Sequence, residues 1–283
     1  MRVLQGCISL LCLLRVDDVL LLRCLSLVCF FGKRLLNRTK ELLSFIADIC
    51  PEGTFMEKEI YRITEDLMLG DLKIVQDKRL YRFTSDSILL SRFADSYSGE
   101  VVADFCAGSG IVGLHYYGLN ADKVKSVDLF ELQPELCELA RSSIEINNLS
   151  DKFTVIEGKL QNAPVSLNGK YSLILCNPPY KKKNGGEQGM ATHIAVCRHE
   201  IEITLEEIIA TASRLLKYGG RLCICQKLER FTDMMYYMRK HDVEPCVIDF
   251  VRTEANKPPY LVMIKGVKGK KPQLKDIGER LNQ

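Results

Sequence analysis

The sequence has no large excess of charge of either sign: 39 Lys and Arg stand against 36 Asp and Glu in 283 residues, a formal net of +3. A polycation that coats nucleic acid through a global field is therefore excluded, and any such contact must come from local patches. Also missing is an uncharged apolar run of the roughly 18–20 residues that a spanning helix needs. The stretch 3–31 comes nearest, and Arg15, Asp17, Asp18 and Arg23 break it. No small-residue cleavage site follows a compact apolar stretch, so it does not read as a secretory signal either. Internal repeats and low-complexity tracts are absent. Cys7/Cys12 and Cys24/Cys29 share a spacing, but no His stands among them, so no metal site is expected. With 47% apolar residues, wholesale disorder is excluded. The 12 cysteines are spread over a long chain, several inside apolar runs, and read as small core residues in a reducing cytosol. A cytoplasmic protein without stable membrane association is expected.

Residues 1–55 differ from the rest and read as a non-native or poorly ordered extension, followed by one domain over 56–283. Met56-Glu57-Lys58-Glu59-Ile60 is a conventional start, and Glu52-Gly53 just upstream can be encoded by a ribosome-binding purine run. The intact mass of the native protein checks this, and a mass that includes residues 1–55 would end the idea.

From Met56 onward 32 Lys and Arg face 31 Asp and Glu. Residues 72–76 and 80–83 read as a hairpin around Asp77-Lys78, and Asp86 as the cap of a helix over 87–94. Strands are expected at 101–105, 124–130, 153–156, 172–176, 222–226, 243–251 and 260–265. Helices are expected to about Leu119, over 134–148 with proline in the first turn, over 205–216 and over 231–240. Seven strands alternating with helices imply a mostly parallel α/β sheet covered on both faces, with ligands at the carboxyl ends of its strands.

Gly108-Ser109-Gly110-Ile111-Val112-Gly113 matches G-x-G-x-x-G between a strand and a helix, and Glu131 ends the next strand where an acid can meet a ribose hydroxyl. This alone suits NAD as well as S-adenosylmethionine. A dinucleotide fingerprint puts its glycines directly at the strand end. Here Asp104 closes the strand and Phe105-Cys106-Ala107 intervene. Asp-x-x-x-Gly-x-Gly instead resembles motif I of class I methyltransferases, which implies a cofactor site of Asp104, Ala107, Gly108, Ser109, Gly110 and Glu131.

The strand at 172–176 runs into Asn177-Pro178-Pro179-Tyr180. Two prolines cannot extend an interior strand, so the chain leaves the sheet here. The tetrad resembles the Asn-Pro-Pro-Tyr motif of methyltransferases that modify amino groups on planar systems. An adenine amine is a poor nucleophile because its lone pair is delocalised into the ring. The Asn177 side-chain carbonyl and the Pro178 backbone carbonyl can accept its two N–H groups and aim the lone pair at a methyl carbon. Pro178 and Pro179 hold both acceptors rigidly, and Tyr180 can stack on a flipped base. No dedicated general base is needed.

Residues 66–270 resemble the tRNA adenine-N6 methyltransferases that act beside the anticodon. The resemblance is carried by Tyr81-Arg82-Phe83-Thr84-Ser85-Asp86-Ser87-Ile88-Leu89-Leu90, the two motifs above, Arg198-His199-Glu200, Leu215-Leu216-Lys217-Tyr218-Gly219-Gly220 and Ile264-Lys265-Gly266-Val267-Lys268-Gly269. It implies a Rossmann-like class I methyltransferase fold, S-adenosylmethionine as cofactor, a tRNA as partner and a monomer. Two departures stand out. Lys159 sits where the family has an acidic residue, with Glu157 as a possible substitute, and the end at 275–283 lacks the usual proline-containing close. Rival readings are glutamine methylation on a protein, usually behind a large N-terminal helical domain, DNA adenine methylation, and a non-catalytic RNA-binding protein on the same fold. Lys181, Lys182 and Lys183, and a second group of Lys265, Lys268, Lys270, Lys271 and Lys275, are candidate phosphate contacts. His199 reads as scaffold, and Cys223 and Cys225, on one side of a strand, as core packing.

Overall fold

The computed structural model describes residues 61–80, 82–178, 203–271 and 274–282. The extension at 1–55, Tyr81, Pro179, Tyr180, Lys181, Lys182, Lys183 and His199 lie outside them.

The chain opens on an antiparallel pair, β1 (Arg62–Asp66) and β2 (Lys73–Asp77). This corrects the expected hairpin: β2 pairs with the strand before it, not with residues after it. The Asp77 carboxylate accepts the Arg79 backbone N–H at 2.8 Å and binds its guanidinium, so the chain turns away once β2 ends. There follow α1 (Ser85–Phe93), β3 (Glu100–Phe105), α2 (Ile111–Asn120), β4 (Val124–Glu131), α3 (Pro134–Ile146), β5 (Phe153–Glu157) and β6 (Tyr171–Cys176). The last part holds α4 (Leu205–Leu215), β7 (Leu216–Lys227), α5 (Phe231–Lys240), β8 (Val243–Arg252), β9 (Leu261–Lys268) and β10 (Asp276–Leu281). Local chemistry sets several ends. Pro134 opens α3, where its missing N–H costs no helical bond. Thr204 and Glu207 form a reciprocal capping box at α4. Asp86 is not the cap of α1: Thr84 holds that position, and the buried Asp86 carboxylate accepts the Tyr260 hydroxyl at 2.8 Å.

β3 to β10 form one sheet in the order β10-β8-β9-β7-β6-β3-β4-β5. Only β9 runs antiparallel to its neighbours. The seven expected strands are present, and β10 adds an eighth, parallel to β8. Strand parity assigns the two faces. Leu173, Leu175, Cys223 and Cys225 join Leu90, Leu114 and Ala140 of α1, α2 and α3 in one buried cluster. Ile174, Cys176, Leu222 and Ile224 join Ile208, Ile209, Met234 and Met238 of α4 and α5 in the other. Both faces are thus covered, as buried parallel strands require. No helix among the described residues is long and apolar enough to cross a membrane. Adjacent β4, β3 and β6 finish level, with Phe105 opposite both Phe130 and Cys176. The loops leaving these ends therefore share one edge of the sheet.

Candidate active site

The glycine loop leaves β3 as a tight, left-turning chain. Cys106 has φ +56°, Gly108 +58° and Gly110 +89°. A side chain at the first of these is uncommon, and such strain collects at functional sites. The Gly110 N–H donates to the Ala107 carbonyl at 2.8 Å, and the Ala107 N–H to the Phe130 carbonyl at 3.0 Å. Ser109 is buried within the loop. Each glycine has its own reason. A Cβ at Gly110 would stand 2.9 Å from Leu129 Cδ1, and one at Gly113 2.8 Å from Leu129 Cδ2, so these two let α2 close on the sheet. A Cβ at Gly108 would meet nothing within 4 Å and would point into open space.

Asp104 is fully buried, and its Oδ2 accepts the Gly113 N–H at 2.8 Å. A strand carboxylate thus satisfies a donor that the first turn of α2 cannot use internally. Nothing among the described residues donates to Asp104 Oδ1, although it too is buried. Burial above all, opposed by the Gly113 N–H and helped by the Glu131 charge, pushes this carboxyl up to about 7. A buried acceptor without a donor costs free energy unless a ligand donor completes it.

Glu131 does more than the sequence suggested. Its Oε2 accepts the Gly108 N–H at 2.8 Å, and its Oε1 the Leu132 and Gln133 N–H groups at 2.9 Å. Burial raises its pKa, with these N–H groups opposing. It therefore ties the glycine loop of β3 to the turn after β4. A carboxylate has about four acceptor directions, so capacity for one further donor remains.

Asn177 and Pro178 follow β6, one strand from the glycine loop. Pro178 is buried and Asn177 partly so. The Asn177 Nδ2 donates to Ser87 Oγ at 2.9 Å, and the Cys225 thiol donates to Asn177 Oδ1 at 3.2 Å. Both partners are buried, Ser87 in the first turn of α1 and Cys225 in β7. Sequence reasoning gave Ser87 no role and treated Cys225 as packing alone. Ser87 stood in one of the stretches that carried the family resemblance, and that was its only signal.

The structure thus brings Asp104, Ala107, Gly108, Ser109, Gly110, Glu131, Asn177 and Pro178 to the ends of three neighbouring strands. The second lysine group is not wholly free for phosphate. Lys265 is buried and paired with Asp95, and Lys268 donates to the Leu216 carbonyl at 2.9 Å. Glu157 binds Arg141 at 2.9 Å, so the candidate substitute for an acid at Lys159 already holds a guanidinium.

Comparison with known proteins gives a consistent result. The family model described as "Methyltransferase small domain" matches residues 84–241. The tRNA1(Val) (adenine(37)-N6)-methyltransferase of Porphyromonas gingivalis is 26% identical over 187 residues, covering 63% of this chain and 71% of that protein. The protein of the same name from Aliivibrio fischeri is 25% identical over 184 residues, covering 64% and 75%. Among solved structures, M. jannaschii TYW2 in complex with AdoMet superimposes with a TM-score of 0.51 at 13% identity, over 73% of this chain and 85% of that one. That likeness bears on the fold.

Proposed function

The chain belongs to the methyltransferase small domain family, and from that premise we propose that residues 56–283 transfer a methyl group from S-adenosylmethionine to the N6 amine of an adenine in tRNA, beside the anticodon. The observation that carries this reading is the shared edge: an incomplete buried acid and a glycine loop on β3, and Asn177-Pro178 at the end of the adjacent β6. The names of the curated relatives support the choice of tRNA adenine over a protein glutamine or DNA. A tRNA substrate is in keeping with a reaction in the cytoplasm.

The residues present fit the cofactor. Asp104 Oδ1, which lacks a donor, would accept from its amino group, the remaining capacity of Glu131 would serve its ribose, and Gly108 leaves room beside the loop. S-Adenosylmethionine brings a methyl group already activated on a positively charged sulfur. The protein's part is then alignment and electrostatics. Asn177 Oδ1 and the Pro178 carbonyl accept the two N–H groups of the amine and turn its lone pair toward the methyl carbon. Tyr180 stacks on the base. As the nitrogen gains positive charge on transfer, the same two oxygens stabilise it before its proton leaves to water. Lys181, Lys182 and Lys183, which follow the tetrad in sequence, supply phosphate contacts.

The test is methyl transfer from labelled cofactor to total tRNA, followed by nucleoside analysis. N6-methyladenosine is the expected product. Label appearing only on protein glutamine or DNA would overturn the assignment.

Gly108 separates site from scaffold. Its φ of +58° makes Gly108→Ala cost about 1–2 kcal/mol of stability. The added methyl group points into the space given to the cofactor, so affinity by calorimetry should fall at least about tenfold, the scale of roughly 1.4 kcal/mol. Unchanged affinity would remove the loop from the site. Gly110→Val is less informative, because its Cβ also strikes Leu129 and strains the scaffold.

A further inference from the structure

We propose that Ser87 and Cys225 are positioning residues that hold the Asn177 carboxamide in the orientation amine alignment requires. The inference rests on the methyl-transfer reading above and extends it to two residues outside both motifs.

The terminal torsion of an asparagine is broad, so nothing intrinsic to Asn177 decides where its oxygen points. Two elements far apart in sequence decide it here. Ser87 lies 90 residues before Asn177 and takes its Nδ2 at 2.9 Å. Cys225 lies 48 residues after and donates to its Oδ1 at 3.2 Å. One contact fixes the nitrogen end and the other the oxygen end, and the carboxamide plane follows from both.

The choice of donor at the oxygen matters. A thiol is a weak hydrogen-bond donor, and a carbonyl oxygen has two acceptor directions. The Cys225 S–H therefore orients Oδ1 while drawing little of its electron density. An oxygen held this lightly keeps its strength as an acceptor, and that strength grows in importance as the amine acquires charge.

Ser87 is itself held. The neighbouring Asp86 accepts the Tyr260 hydroxyl at 2.8 Å. The Asn282 amide donates to Tyr260 Oη at 2.7 Å and to Ser85 Oγ at 2.8 Å. The first turn of α1 is thereby pinned to the entrance of β9 and to the residue following β10. An oriented carboxamide needs such support, because a loosely held serine would let it rotate.

The test is a double-mutant cycle in the full chain, read by single-turnover methylation of tRNA at saturating cofactor and RNA. Ser87→Ala should slow the step about tenfold, the scale of one lost orienting hydrogen bond, with cofactor dissociation constant and RNA KM unchanged. In an Asn177→Ala background the same substitution should slow it no further, because Ser87 acts through that side chain. Cys225→Ser keeps a donor but draws more of the oxygen's density, so its rate should lie between those of wild type and Cys225→Ala. Equal slowing by Ser87→Ala in both backgrounds, or loss of cofactor affinity in place of rate, would show a residue that merely supports the fold and would overturn the proposal. If Ser87→Ala does not fold, the two Cys225 variants give the same comparison from the other end of the carboxamide, and equal rates for them would overturn it. An Asn177→Ala protein with the wild-type rate would instead remove the underlying role of Asn177, whatever the Ser87 variants do.

Discussion

Replacing Asp104 with Asn is expected to weaken S-adenosylmethionine binding by roughly ten- to a hundredfold. The figure follows from about 1.5–3 kcal/mol for a hydrogen bond to a charged group. The pH dependence is more telling than the magnitude. Burial holds the Asp104 carboxyl near 7, against 3.8 for an ordinary aspartate. The folded value lies above the unfolded one, so the proton on Asp104 stabilises the fold below about pH 4, and this contribution is lost as pH rises through about 7. A cationic amino group selects the ionised carboxylate. Cofactor affinity should therefore climb as pH rises toward about 7 and level off above it, with proton release on binding in the acid part of that range. Calorimetry in buffers of different ionisation enthalpy measures both. Asp104→Asn should flatten the profile, and its melting temperature at pH 8 should be no lower than that of wild type, because no buried charge remains. An Asp104→Asn protein with wild-type affinity and an unchanged pH profile would take the carboxylate out of the cofactor site.

The parts of this architecture that sequence disclosed are those written in local spacing. An apolar run ended by Asp104 and followed by a glycine loop can be read without knowing which strands are neighbours. So can two prolines that end an interior strand after Cys176. What stayed hidden depends on pairing across distance. The strand Lys73–Asp77 carries no signal for its partner, which proved to be Arg62–Asp66. The strand Asp276–Leu281 reads as a polar tail because it is an edge, exposed along most of its length, and the parallel register with β8 makes it a strand. Edge strands are polar for a reason, since charge there discourages further pairing. Glu131 was legible as an acid at a strand end, but its three backbone donors come from two loops that only the fold brings together. The partners of Asn177 belong to the same class: Ser87 and Cys225 look like a helix start and a core thiol until the sheet is assembled.

Asn177→Ala is expected to lower turnover on tRNA by on the order of a hundredfold, comparable to losing one preorganised partner of a transition state. The reasoning is geometric. Asn177 ends the strand beside the cofactor loop and presents a carboxamide fixed at both ends. Truncation removes the oxygen meant for one N–H of the amine, while the Pro178 carbonyl, being backbone, remains for the other. One acceptor out of two leaves the lone pair poorly aimed but does not block the site, so a residual rate is expected. Cofactor affinity should stay near wild type, because Asp104, Gly108 and Glu131 belong to β3, β4 and the loop between β3 and α2. Stability should fall only modestly, since Asn177 is partly exposed and its loss leaves the Ser87 hydroxyl free to turn toward other partners. Tyr180→Ala should differ in kind, costing capture of the base by roughly 1–3 kcal/mol of stacking and little of the alignment. Single-turnover methylation with saturating cofactor separates the two, because saturating RNA recovers the Tyr180 variant and not the Asn177 one. Should Asn177→Ala methylate tRNA at the wild-type rate, amine alignment by this carboxamide is wrong, and the Pro178 carbonyl and the positioned cofactor would have to account for the chemistry alone.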